Sequence, residues 1–221
     1  KRFPSETALF AEAFNVRIEY YQRLELGKEA EEEIHRYINA SAIDEKRFAV
    51  LKNLADRYYG EAEKLRTAGE VEAANRRSAI ARAAYEGLHA ASVKNGVYGE
   101  RCQPLQFHIA RTYALEGQTA RAIEVYEKLA EKGPVSKQAL LELAALYEKS
   151  GQWENVLDTW RKIFDQEKPG TREWLEARYK TIYALKMLGK EEKACALLTM
   201  TFTLHPDLGG DTLKKQYLDL K

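Results

Sequence analysis

Apolar residues recur every three or four positions along most of this chain, which is the spacing of one face of an α-helix. Between these helical stretches stand five glycines, each followed by a polar or charged residue: Gly27, Gly69, Gly117, Gly151 and Gly189. Glycine readily adopts the left-handed conformation in which many helices end. The pattern therefore predicts an all-α chain of antiparallel helix pairs, with one of these glycines in the turn of each pair.

The clearest internal repeat lies in the C-terminal half of the chain. Gly151 follows Gly117 by 34 residues, and Gly189 follows Gly151 by 38. Small and aromatic residues surround each glycine in a similar order, which in the first copy is Ile109, Ala110, Tyr113, Gly117, Ala122, Ile123, Tyr126, Leu129 and Pro134. Small residues let two helices cross closely, and aromatic residues fill the space between successive pairs. The order therefore predicts repeated helix pairs that stack on one another.

A 34-residue period with residues in this order resembles the tetratricopeptide repeat. The resemblance is strong for residues 103–168 and weaker from there to 206, where Ile182, Leu185 and Leu198 depart from the residue types that the family prefers. It implies a right-handed α-solenoid of antiparallel helix pairs, which is the superhelix of this family. It also implies a non-catalytic scaffold that binds a peptide or a partner protein on its concave face.

The chain is expected to divide into four segments. Residues 1–92 would form two long, irregular helical hairpins that are similar to the family only in outline, and residues 93–100 would form a loop. Residues 101–206 would hold three tetratricopeptide-like repeats, and residues 207–221 a C-terminal helix that caps the array. Self-assembly through the N-terminal hairpins is an alternative function, which an exposed stripe including Phe10, Phe14 or Tyr21 would favour, so a homo-oligomer stays open.

The balance of charges argues against a nucleic-acid partner. The chain has 35 Lys and Arg and 34 Asp and Glu, so its formal net charge is only +1. It therefore has no overall positive field that would attract an anionic polymer. No stretch reaches the roughly 18 apolar residues of a membrane-spanning helix, which predicts a soluble segment that does not insert into a membrane. The sequence begins at Lys1 rather than at a methionine, which leaves open an upstream segment such as a signal, an anchor or another domain. The compartment, cytoplasmic or exported, stays open.

No catalytic or metal-binding motif emerges from the sequence. The four histidines are scattered and form no His-Glu-x-x-His pattern, and Cys102 and Cys195 belong to no close pair suited to zinc or dithiol chemistry. The sequence therefore predicts no cofactor, no metal and no enzymatic activity. An enzyme is the third hypothesis, and a deep pocket that joins several titratable groups would favour it.

The resemblance also implies which residues line a peptide groove. First helices line the concave surface in the family, and the positions that match it give a predicted site of Phe107, Arg111, Leu141, Lys149, Tyr179, Tyr183 and Lys186. Chaperone-binding members of the family hold a peptide carboxylate between cationic and amide side chains, but Glu142 and Glu176 stand at such positions here. We therefore predict a peptide with apolar anchors. In the alternative interpretation, Tyr179 and Tyr183 only pack against a neighbouring helix.

Overall fold

The computed structural model describes residues 6–40, 43–95, 101–131, 133 and 135–220, and its regular elements in these ranges are α-helices. They are α1 (Glu6–Arg23), α2 (Gly27–Asn39), α3 (Glu45–Thr67), α4 (Val71–Asn95), α5 (Cys102–Leu115), α6 (Thr119–Ala130), α7 (Ser136–Lys149), α8 (Trp153–Gln166), α9 (Arg172–Met187), α10 (Glu191–Leu204) and α11 (Asp211–Leu218). Helices that follow one another in the chain pack together, as α3 does on α4 and α7 on α8. The all-α prediction is confirmed.

The chain divides into two compact units, Lys1–Val125 and Tyr126–Lys221. The division falls within α6, whereas the sequence predicted a change of organisation at residues 93–100. Helix α4 continues to Asn95, so the first three residues of the predicted loop are helical. Residues 96–100 and Pro134 lie outside the described residues. The four-segment division stays a prediction.

The core of the first unit is built from helices α1 to α5. Phe14 is fully buried and its ring stacks on that of Tyr37 at 4.1 Å between centroids. Tyr21 packs against the same core, and Phe10 stays half exposed. Of the three residues that would have marked an exposed stripe, Phe14 is buried, Tyr21 is half-buried and Phe10 is exposed. Four alanines on α4 are buried, and their small side chains let neighbouring helices approach this helix closely: Ala74, Ala81, Ala83 and Ala84.

In the second unit, one cluster of buried residues lies where α7, α8 and α9 meet. Leu140, Ile163 and Ala177 are buried together, with Trp160 and Phe164 packed against them. Ala110 and Ala122, the small residues predicted at the crossing of the first repeated pair, are buried, and so are Ala144 and Val156, which occupy the matching positions 34 residues later. Burial of these side chains is the main favourable contribution to folding, because each one removes apolar surface from water.

Four of the five glycines occupy the left-handed position at the end of a helix, as the sequence predicts. Gly69, Gly117, Gly151 and Gly189 have φ values of 85°, 79°, 68° and 67°. In each turn the glycine N–H donates to the carbonyl three residues earlier, and the next N–H donates to the carbonyl five residues before itself, as Gly151 does to Glu148 and Gln152 to Tyr147. These two bonds satisfy carbonyls at the end of the preceding helix.

The expectation that Gly27 occupies the same position is wrong. In the first turn the N–H of Glu25 donates to Gln22 and the N–H of Leu26 to Tyr21, and the φ of Glu25 is 58°. Gly27 is the first residue of α2. A glutamate therefore holds the left-handed position that glycine holds in the other four turns.

Replacing Glu25 by glycine is expected to raise the free energy of unfolding by about 0.5–1 kcal/mol, because relief of the left-handed conformation outweighs the larger entropy of an unfolded glycine. The exposed ion pair between Glu25 and Arg76 (3.1 Å) would be lost at little cost. The reciprocal variant, Gly151→Ala, is expected to lower the free energy of unfolding by a similar amount. Urea denaturation measures both, and a Glu25→Gly chain no more stable than the wild type would contradict the interpretation.

The predicted C-terminal helix forms and packs on the last helix pair. Tyr217 of α11 is fully buried, and its hydroxyl donates to the carbonyl of Leu175 at 2.6 Å. Its ring meets Tyr179 of α9 and Phe202 of α10 edge-on, with centroids 5.5 and 6.3 Å apart. Burial raises the pKa of Tyr217, so this phenol stays a hydrogen-bond donor at neutral pH.

Candidate functional site

Five of the seven predicted groove residues lie in the second unit, on α7 and α9, which are the first helices of two successive helix pairs. Leu141 and Lys149 are exposed on α7, while Tyr179 and Tyr183 are half-buried on α9 and Lys186 is exposed there. Residues four positions apart on a helix share one side, which places Leu141, Ala145 and Lys149 in one row and Tyr179 and Tyr183 in another. We call the surface formed by Leu141, Ala145, Lys149, Tyr179, Tyr183 and Lys186 the α7–α9 face.

An ion pair joins the two helices beside this face. Lys180 Nζ of α9 lies 3.0 and 2.8 Å from the two carboxylate oxygens of Glu148 of α7. The same carboxylate accepts a hydrogen bond from the indole Nε1 of Trp160 at 3.0 Å. Because Lys180 is paired with Glu148, it is less able to bind a peptide carboxylate.

Other charges near the face are also engaged. Glu176 pairs with Arg172 at 2.9 Å, and Lys186 Nζ donates to the backbone carbonyl of Leu220 at 2.7 Å. Lys149 is exposed and makes no ion pair within the described part of the chain. The α7–α9 face therefore presents aliphatic and aromatic carbon next to charges that mostly have partners.

Aromatic rings run in contact across the face. Trp153, at the start of α8, meets Tyr183 edge-on at 5.8 Å, and Tyr183 stacks on Tyr179 at 6.4 Å with an interplanar angle of 24°. Tyr179 in turn contacts Tyr217. We call Trp153, Tyr183, Tyr179 and Tyr217 the ring series. Burial raises the pKa of Tyr179, which keeps its hydroxyl protonated at neutral pH.

Sequence reasoning missed Trp153 and Tyr217 as members of this site. Trp153 stands two residues after Gly151, so it begins the helix that follows the turn and lies beside the end of α9. Its position just after the glycine of a repeat could have predicted that it lies at the start of a second helix, beside the site. Tyr217 has no such signal, because its contact with Tyr179 depends on how α11 folds back on α9.

The other two predicted groove residues, Phe107 and Arg111, lie on α5 in the first unit. The Arg111 guanidinium donates to Glu63 at 3.0 Å and lies 4.5 Å from the ring centre of Tyr59. Phe107 meets His108 edge-on at 6.1 Å. Arg111 thus connects α5 to α3 within the first unit. The seven-residue groove stays a prediction, and its five members in the second unit lie on the α7–α9 face.

The first unit contains a cluster of titratable side chains that belongs to none of the predicted sites. The Tyr85 hydroxyl and Lys52 Nζ both donate to the Asp56 carboxylate at 2.7 Å, and His108 stacks on Tyr85 at 5.0 Å. Burial lowers the pKa of His108 to about 4. Burial opposes ionisation of Asp56, but its hydrogen bonds to Lys52 and Tyr85 outweigh that effect and lower its pKa.

These shifts fix the charge state of the cluster near pH 7. His108 is neutral and Asp56 is ionised with its donors in place. Tyr85 is buried and donates its hydroxyl hydrogen bond to Asp56. The cluster ties α3, α4 and α5 together.

Among the described residues, no group of three or more His, Cys, Asp and Glu side chains is arranged to hold a metal ion. No helix in those ranges is long and apolar enough to cross a membrane.

Comparison with known proteins identifies the repeat. Residues 105–134 match the family model of the tetratricopeptide repeat. The structure is similar to that of a Podosopora anserina protein described as a putative kinesin light chain with nearly identical TPR-like (tetratricopeptide-like) repeats. The TM-score is 0.53 and the sequence identity is 18%, and the match covers 99% of this chain and 97% of that one. A variant of that protein gives the same TM-score and identity over 91% of this chain and 96% of the other. No curated protein matches the sequence significantly. At this identity the likeness shows the fold alone.

Proposed function

Since the chain contains a tetratricopeptide repeat within an array of helix pairs, we propose that it is a non-catalytic scaffold that binds a peptide segment of a partner protein on the α7–α9 face. Repeats of this family generally serve protein–protein interaction. The observation that carries the choice of face is the ring series, which brings half-buried rings from α8 and α9 together at the surface.

Half-buried aromatic rings are well suited to bind a peptide. Tyr and Trp present a large, rigid apolar surface together with a polar group, and few rotatable bonds are frozen when they bind. Tyr179 and Tyr183 support one another by stacking, so their positions are set before a ligand arrives. Leu141, 42% exposed on α7, adds an aliphatic contact on the same face.

The charges around the face favour a peptide with apolar anchors over an acidic one. Glu148 occupies Lys180 and Arg172 pairs with Glu176, so no group of unpaired cations is offered to an acidic tail. A segment with apolar anchors gains more here, because it covers ring and leucine surface without breaking these pairs. Lys149, at the end of α7, is available to one carbonyl or carboxylate of such a segment.

A rival interpretation is that the rings only pack helices together. Contact between Tyr179 and Tyr217 favours it for Tyr179. Tyr183 is different, because its partners are Trp153 and Tyr179 and its ring stays half-buried. Binding and stability must therefore be measured on the same variants.

The test uses peptides selected from a random library displayed on phage and measured by calorimetry against the full chain. The double variant Tyr179→Ala, Tyr183→Ala is expected to weaken their binding about 100-fold, because two aromatic hot-spot residues are lost. The control is Met200→Ala, Leu204→Ala, which removes exposed apolar side chains from α10 and should leave affinity unchanged. Equal binding to the double variant and the wild type would show that the α7–α9 face is not the site.

A further inference from the structure

Helix α1 is apolar on two sides. One stripe, including Phe14 and Ile18, is fully buried in the core of the first unit. A second stripe faces solvent at spacings of three and four residues: Leu9, Ala13, Val16, Tyr20 and Leu24. We call it the outer α1 stripe. Its four large side chains are between 50% and 59% exposed. A surface helix usually has a single apolar stripe, so a second one marks a contact surface.

The charges along one edge of the outer α1 stripe are arranged in a self-complementary way. Glu12 and Arg23 lie eleven residues apart, about three helical turns, and so on the same edge near opposite ends. Both are exposed, and neither makes an ion pair within the described part of the chain. Glu19, between them, is paired with Arg57 at 2.9 Å. One negative and one positive charge therefore remain to be matched.

We propose that the outer α1 stripe is the interface of an antiparallel, two-fold symmetric dimer of this chain. In such a contact each edge of the helix faces the same edge of its copy running the other way. Glu12 then lies opposite Arg23 of the partner subunit, and the second such pair follows by symmetry. Val16 and Tyr20 meet at the centre, where their apolar surface leaves water.

The alternative parallel arrangement fits less well. It would bring Glu12 towards Arg17 on the opposite edge of the stripe, and Arg17 is already held by the buried carboxylate of Glu33 at 2.6 Å. A contact through one helix is small compared with the usual interface. The dimer is therefore weak and its population depends on concentration. It uses a different unit from the α7–α9 face and does not rest on the proposed peptide binding.

The first test is sedimentation equilibrium of the full chain over a series of concentrations. The wild type should dimerise, and Val16→Asp should be monomeric at every concentration, because a carboxylate would be buried at the centre of the contact. Val93→Asp is the matched control, since Val93 on α4 is 61% exposed and Val16 is 59% exposed. It should dimerise like the wild type. A monomeric wild type, or dimerisation of Val16→Asp equal to that of the control, would overturn the proposal.

A charge-reversal series tests the direction of the helices. Glu12→Arg and Arg23→Glu should each raise the dissociation constant about tenfold, because two pairs become repulsive. The double variant, and an equimolar mixture of the two single variants, should regain wild-type affinity. Unchanged affinity of Arg23→Glu, or a double variant weaker than either single one, would exclude the antiparallel dimer.

Discussion

Replacing Tyr217 by alanine is expected to lower the free energy of unfolding by about 3–4 kcal/mol, the usual cost of truncating a fully buried aromatic side chain. Tyr217 combines full burial with a hydroxyl hydrogen bond to Leu175 and ring contacts to Tyr179 and Phe202. It attaches α11 to both α9 and α10. Its loss would therefore release the C-terminal helix as well as open a cavity.

Two variants separate the parts of this effect. Tyr217→Phe removes only the hydroxyl and is expected to cost about 1 kcal/mol, the net contribution of one hydrogen bond. Leu218→Ala changes an exposed side chain on the same helix and should alter stability by less than about 0.5 kcal/mol. Urea denaturation followed by circular dichroism measures all three variants. A Tyr217→Ala chain as stable as Leu218→Ala would contradict the packing of α11.

The double variant Arg17→Met, Arg36→Met is expected to lower the free energy of unfolding by about 2–3 kcal/mol, because the carboxylate of Glu33 would stay buried without its two partners. Glu33 is only 3% exposed and lies 2.6 Å from Arg17 and 3.0 Å from Arg36. Both arginines are themselves partly exposed, so the cost falls below that of a fully buried pair. Methionine is the replacement of choice, since it keeps much of the aliphatic stem.

A triple variant identifies the cause of that loss. Adding Glu33→Leu to Arg17→Met and Arg36→Met should restore most of the stability, because apolar side chains commonly replace a buried ion pair at no net cost. Denaturation in urea at neutral pH compares the double and triple variants. If the triple variant is no more stable than the double one, the unpaired carboxylate is not the cause of the loss.

The features that the sequence predicted correctly depend on short stretches of chain. A glycine at Gly117 or Gly151 ends a helix by its own conformation, and Ala144 or Val156 marks a crossing by its size. Such signals are local and repeat with the period of the array. They are sufficient for the helix pairs and for most of the turns.

The features that could not be predicted from the sequence depend on contacts and hydrogen bonds with other parts of the fold. Glu25 takes a left-handed conformation because the hydrogen bonds of the turn impose it, although nothing in the residue type favours it. Glu33 lies among several glutamates that resemble a solvated face, and only the approach of Arg17 from α1 distinguishes it. The contact of Trp153 with Tyr183 likewise follows from the packing of two helices.

The most direct measurement of the proposed function is NMR mapping of a selected peptide on the isotope-labelled chain. Binding at the α7–α9 face predicts the largest chemical-shift changes at Leu141, Tyr179 and Tyr183, together with the indole N–H of Trp153. Met200 and Leu204 on α10 should not shift. If instead the largest changes fall on α10 or on α1, while α7 and α9 are unmoved, the α7–α9 face does not bind the peptide.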